Sequence, residues 1–367
     1  MTVIIFIIVL ALLILVHEVG HFLAAKKAGV KVPEFGLGFP PKIFGTKIGE
    51  TEYTLNWIPF GGFVKIIGEN AEEDISEKDY PQSFMAQSRP VQAAIISAGV
   101  IFNLLFAWVL ISIGFMIGMP TSAETLPEES FITPPVLMIT SVIPNTPAYN
   151  AGLKAGDEIF ALVSGSDELS DIKNINTTQE FISSHGKQEV GFFYKRGNKQ
   201  PSLLKIIPEE GIVDGKPAVG ITMDIVGIAK LNPVSAISEG AKMTIQLTGA
   251  IAAGLWGFFV SLISGGADLS NIAGPVGIAG LVGQASTLGF VYLLSFTALI
   301  SINLAIINFI PFPALDGGRL LFILIEAIKR SPIPPKITMV ANTVGFLLLI
   351  GLMLLVTYND IARIISG

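Results

Sequence analysis

The sequence predicts a polytopic α-helical membrane protein of about four transmembrane helices, with one extracytoplasmic α+β domain inserted between the second and the third. Three observations lead there. Hydrophobic residues make up 51% of the 367 and charged residues only 14%, and the mean hydropathy is +0.66, well above that of soluble proteins. Four apolar runs, residues 3–25, 91–119, 290–313 and 338–357, each reach the roughly 20 residues a helix needs to cross a bilayer. From about 121 to 230 the composition changes to that of a soluble domain.

The same composition excludes other classes. A formal charge of -6 and a pI near 5.2, with no basic stripe, argue against nucleic acid as a partner. With no cysteine there are no disulfides and no thiolate metal sites. Any transition metal must be held by His, Asp or Glu, and there are only three histidines.

The first run carries two of them. Val9 to Ala25 reads VLALLILVHEVGHFLAA, and His17, Glu18 and His21 form an H-E-x-x-H pattern inside it. Residues four apart lie nearly above one another on a helix, so both imidazoles can reach one metal, with Glu18 beside it as a general base. Placing such groups in hydrocarbon is costly, which marks the cluster as functional. A cleaved signal peptide fits poorly: no positive residue precedes the run and no small-x-small site closes it. Lys26, Lys27 and Lys31 follow, which puts this end in the cytoplasm and the N-terminus outside.

Between the first two runs, ETEYTLNWIPFGGFVKI alternates with a period of two. It predicts a cytoplasmic-side β hairpin over 48–68, with Tyr53, Leu55 and Trp57 on one face and Pro59 to Gly62 turning the chain. Glu72, Glu73, Asp74, Glu77 and Asp79 read as a solvated loop. In the second run Gly99 and Asn103 stand four apart, a pattern suited to close helix packing with Asn103 hydrogen-bonding across helices, or to catalysis.

Domain boundaries are expected at 1–120, 121–230 and 231–367. In the middle part VLMITSVI, EVGFFYK and SLLKII read as strands and TTQEFISSH as a short helix. SVIPNTPAYNAGLKAGDEIFAL resembles the PDZ domain of bacterial membrane and periplasmic proteases. The resemblance implies a small helix at Ala148 to Leu153 and a core strand after Gly156. His185 reads as a capping or surface residue.

In the last part, residues 236–263 are weakly apolar and could either span or lie in the interface. A fifth crossing would place Arg319, Lys329, Arg330 and Lys336 outside, so the positive-inside rule favours an interfacial helix. NIAGPVGIAG, Asn271 to Gly280, reads as a glycine-rich connector. The run 290–313 ends broken, NFIPFPALDGGRL, because Pro311 and Pro313 each remove a backbone donor. Two acids here compete to be a third metal ligand. Glu326 has Lys329 and Arg330 at ion-pair spacing and reads as structural. Asp316 fits a ligand and, before Gly317 and Gly318 at a helix start and near Arg319, equally a helix cap.

Taken together, HEVGH in the first helix, one PDZ-like domain, and Asn308 to Gly317, NFIPFPALDG, resemble the site-2 protease family of intramembrane zinc metalloproteases, in its bacterial regulator-of-sigma-E protease-like branch. The resemblance spans essentially the whole chain. It implies zinc held by His17, His21 and Asp316, Glu18 as catalytic base, and substrate-backbone contacts from Asn308, Pro311, Pro313 and Asn103. The hairpin matches an element the family uses for strand addition. Two departures stand out: there is room for one PDZ domain where some members carry two, and Val100 stands where Pro often follows Gly99. The implied setting is a bacterial inner membrane, with the PDZ-like domain outside and the site near the cytoplasmic face. The implied substrates are single-span membrane proteins, such as anti-sigma factors, or remnant signal peptides, with a peptide C-terminus as a possible ligand of the PDZ-like domain. The alternative function is a non-proteolytic scaffold or chaperone binding clients through that domain.

Overall fold

The structure, a computed structural model, describes residues 1–69, 75–170, 172, 174–197, 199–213, 215–264 and 274–366. Glu72, Glu73 and Asp74 of the expected acidic loop lie outside these. The chain forms α1 (Thr2–Lys27), β1 (Glu34–Ile48), β2 (Thr51–Lys65), α2 (Arg89–Ile117), β3 (Met119–Ser122), β4 (Val136–Val142), α3 (Pro147–Ala151) and β5 (Asp157–Ser164). It continues with β6 (Asp167–Leu169), α4 (Ile175–Ser184), β7 (Val190–Arg196), β8 (Ser202–Ile206), β9 (Glu209–Val213), β10 (Lys216–Ala218) and β11 (Ile221–Ala229). Five helices complete it: α5 (Pro233–Ile263), α6 (Pro275–Leu288), α7 (Phe290–Phe309), α8 (Asp316–Lys329) and α9 (Pro335–Ser366). Two compact units result, residues 1–113 with 237–367, and residues 114–236.

The first unit makes this a multi-pass membrane protein. Among the described residues 5 helices are long and apolar enough to cross a bilayer, α1, α2, α5, α7 and α9, one more than the four crossings expected. The additional one is α5, the least apolar of the five. Lys242 and the small residues lower its average without breaking the helix.

Close backbone approaches hold the unit together. A Cβ on Gly20 of α1 would lie 2.5 Å from the carbonyl oxygen of Ala98 in α2. The expected connector Asn271 to Gly280 is helical from Pro275, its first three residues being outside the described set. Proline suits a first helical turn, and burial of Val282 against Val9 and Leu13 of α1 outweighs the low helix propensity of the glycines. A Cβ on Gly283 would come within 2.4 Å of Thr2, and Asp360 of α9 accepts hydrogen bonds from the N–H of Gly274 (3.2 Å) and Gly277 (2.7 Å) at the start of α6.

The β element is larger than the predicted 48–68 hairpin, beginning at Glu34. Residues 34–37 lie between two stretches of β2, with Phe35 opposite Tyr53 on one side and Val64 on the other; 42–48 pair antiparallel with 51–56. Chain segments therefore run in the order 62–65, 34–37, 52–55, 42–48. The burial pattern inverts that of a water-soluble sheet: Thr54 and Asn56 are buried, while Leu55, Trp57, Phe39 and Phe44 are exposed. Asn56 donates to the Gly38 carbonyl (3.1 Å) and Thr54 to Glu34 (2.9 Å), which satisfies the buried polar groups.

The second unit is an antiparallel sheet in the order β3-β11-β4-β5-β7-β8, with β6 on β5. Leu137, Ile139, Ile159, Leu162 and Phe192 alternate inward and pack with Ile182 of α4. Asp157, fully buried, is held by a two-point ion pair with Arg196 at 2.6 and 2.7 Å. His185 follows α4 as its C-cap, its Nδ1 donating to Phe181 O (2.8 Å) and its Nε2 facing Asp167 Oδ2 at 3.2 Å.

Candidate metal and catalytic site

His17 and His21 share the α1 face that meets α2, both buried, their ring centroids 4.7 Å apart. The carbonyl of Ile95 can only accept, so the 2.9 Å contact with His21 Nδ1 puts the hydrogen on Nδ1 and leaves Nε2 with its lone pair. His17 Nδ1 lies 3.2 Å from the Asn103 amide. Asn103 thus reaches across helices to a histidine, and Gly99 supplies the close approach, its hydrogen pointing into the imidazole pair.

Asp316 arrives from a backbone that proline has broken. α7 stops at Phe309, and the turn is rebuilt by Phe312 N–H to Ile310 O (2.7 Å) and Leu315 N–H to Phe312 O (3.1 Å). Ala314 adopts a left-handed φ of 74°, and its N–H donates to Asn342 Oδ1 of α9 at 3.1 Å. Gly317 and Gly318 fit only without side chains, since each Cβ would fall 2.2 Å from a carbonyl oxygen of the broken segment. Both reasons for reading Asp316 as structural are removed here. Leu315 occupies the N-cap position with no side-chain cap bond, and Arg319 pairs with Glu69 instead. Glu326 is structural as expected, through other partners: Arg89 at 2.7 Å and the Ile333 N–H at 2.9 Å.

Asp316 Oδ2 stands 3.0 Å from His17 Nε2 and 3.3 Å from His21 Nε2, and the three ligand atoms lie within 4.8 Å of one another. That oxygen is buried without a hydrogen-bond partner. A buried, unsatisfied carboxylate oxygen aimed at two imidazole nitrogens fits a divalent cation, and two nitrogens with one oxygen suit zinc with one position left open.

The profile of peptidase family M50 matches residues 5–352. The chain belongs to peptidase family M50. It is 35% identical over 355 residues to protein CPE1693 of Clostridium perfringens, covering 95% of each. It is 31% identical over 440 aligned residues to the zinc metalloprotease RasP of Bacillus licheniformis and to the regulator of sigma-W protease RasP of Bacillus subtilis, covering 99% of each chain. This M50 protein is an intramembrane zinc metalloprotease, and His17, His21 and Asp316 are its candidate zinc site.

The M50 site opens on a cavity of about 960 Å³ lined by the three ligands, Glu18, Gly62 to Lys65, and Asn342 with Thr343. A Cβ on Gly62 would sit 3.3 Å from Glu18 Cγ, so the outer β segment passes directly by the glutamate. Among the described residues, 62–65 pair with 34–37 on one side only. The other expected contacts are elsewhere. Asn308 is half-buried at the end of α7, Pro311 is exposed and Pro313 packs under Gly345 of α9; none of the three lines this cavity among the described residues. Asn103 is enclosed, at 0% exposure. Asn342 and Gly345 went unnoticed in the sequence, since an Asn and a Gly in an apolar helix carry no signal of which loop they will meet.

Proposed function

We infer that the protease hydrolyses peptide bonds within or beside transmembrane segments of single-span membrane proteins or remnant signal peptides. One observation carries this: His17, His21 and Asp316 converge where a strand edge that is unpaired among the described residues, 62–65, runs past Glu18. A helix in hydrocarbon hides its peptide bonds, and an extended segment added to that edge exposes them while replacing its lost hydrogen bonds. Zinc, when bound, polarises a carbonyl and makes water a nucleophile near neutral pH. Glu18 takes the proton from the attacking water and passes it to the leaving amine. Asn308, whose side chain makes no hydrogen bond among the described residues, and the Pro311–Pro313 backbone hold the substrate chain on its way to the site.

The orientation follows from charge. Lys26 and Lys27 in the last turn of α1 with Lys31 beyond it, and Lys329, Arg330 and Lys336 around the α8–α9 junction, lie in the cytoplasm of a bacterial inner membrane. α5 then lies in the interface, and residues 121–230 form a PDZ-like domain outside. The exposed apolar face of the β element dips into lipid. Regulation of a sigma factor, named for the Bacillus subtilis relative, makes an anti-sigma factor a substrate class to try first. The PDZ-like domain excludes substrates with bulky outer parts or receives a newly made C-terminus.

Glu18→Gln tests the reading. Zinc content at wild-type level with cleavage of a tagged single-span substrate abolished is the expected result; continued cleavage would overturn the role of Glu18.

A further inference from the structure

We propose that Asn103 is a positioning residue that selects the metal-binding tautomer of His17 and is not a substrate contact. The inference rests on the zinc-site reading above. Asn103 is completely buried, and its backbone carbonyl is pinned to α7 by the equally buried Ser301 hydroxyl at 2.8 Å. No substrate can reach an amide so enclosed. Its Nδ2 lies 3.2 Å from His17 Nδ1, while its Oδ1 is buried with no hydrogen-bond partner.

Those two facts bear on one proton. An N–H that donates to Nδ1 makes Nδ1 the acceptor and leaves the imidazole hydrogen on Nε2, the nitrogen 3.0 Å from Asp316. A nitrogen bearing hydrogen cannot ligate. For His17 to bind zinc through Nε2, the hydrogen must sit on Nδ1, and an amide N–H facing it would then set donor against donor. Turning the amide by 180° about Cβ–Cγ brings Oδ1 to Nδ1–H and gives the orphaned oxygen its partner. His21 needs no such adjustment, because the Ile95 carbonyl already fixes its tautomer. The two histidines are therefore supported differently, one by rigid backbone and one by a side chain that can rotate.

Zinc affinity of the full chain in detergent, by competition with a chelator, tests this alongside cleavage kinetics. Asn103→Ala is expected to weaken zinc binding by about 10- to 100-fold, the usual loss for a removed outer-shell partner. Asn103→Asp, which can only accept from Nδ1–H, is expected to restore zinc affinity to wild-type level or above. Unchanged zinc affinity in Asn103→Ala with a raised KM would overturn the proposal in favour of a substrate contact. Equal losses in both variants would overturn it in favour of a packing role. His21→Ala is the control for the underlying reading: if it leaves zinc binding unchanged, the site itself is wrong, whatever Asn103 does.

Discussion

Gly99 lies against His21 so closely that a Cβ there would stand 2.4 Å from the imidazole Nε2 and 2.7 Å from His17 Cε1. The metal-binding edge of both rings is thus bounded by a bare α carbon. Gly99→Ala is expected to displace the rings and lower zinc affinity at least about tenfold, as for other disturbances of ligand support. Metal analysis of the purified variant checks it. Gly20→Ala, which would strike the Ala98 carbonyl at 2.5 Å, should separate α1 from α2 and act in the same direction.

The two acids of α8 should behave oppositely. Asp316→Asn removes the carboxylate that lies against both imidazoles and should strip the zinc. Glu326→Gln should retain it and cost about 1 kcal/mol or less through the partly exposed Arg89 pair. Zinc content and thermal melting of the two variants separate these outcomes.

The left-handed Ala314 shapes the approach to Asp316. Ala314→Gly relieves a conformation that costs an L-residue about 1–2 kcal/mol and should raise the melting temperature slightly, whereas Ala314→Val should lower both stability and zinc affinity. Asn342→Ala leaves the Ala314 N–H without its partner and should resemble the Val variant.

Gly62 tests the strand edge. A Cβ there meets the Gly36 carbonyl at 3.1 Å and Glu18 Cγ at 3.3 Å, so Gly62→Val should push the segment outward and reduce kcat/KM while zinc stays bound. Unaltered cleavage kinetics would speak against substrate lying on this edge.

In the second unit, Asp157→Ala would leave Arg196 facing an empty partner and the Lys154 N–H unpaired. The expected loss is about 3 kcal/mol, read as faster hydrogen exchange in β5 and β7 of the full chain. Deleting residues 125–228 addresses substrate selection instead. A substrate with a bulky outer domain should become cleavable, and unchanged resistance would count against a size filter.

Much of this architecture was legible along the chain because each signal was local. His17, Glu18 and His21 are close on one helix, so their spacing alone places them together. The strands β4, β7 and β8 and the helix α4 showed themselves by period and turn residues, and β5 through the PDZ resemblance. β1 stayed hidden, since Gly36, Gly38, Pro40 and Pro41 interrupt its alternation and its pairing partners supply the order. The helix α6 was masked by its glycines; Gly283 lets Thr2 approach, and Gly274, just before the helix, lets Asp360 approach.

The sequence by itself determined the membrane class, the two-histidine motif and a short choice of third ligands. The resemblance to the site-2 proteases implied Asp316 among them, and only the tertiary structure removed the reason to read it as a cap. Asp316 was equally a cap and a ligand until Leu315 took the cap position, Glu69 took Arg319, and the glycine pair let α8 close against the broken end of α7. Asn103 likewise changed meaning once its amide was found against His17. Local patterns fix which groups a helix can present, whereas partners far apart in the chain are chosen by packing, which no spacing encodes.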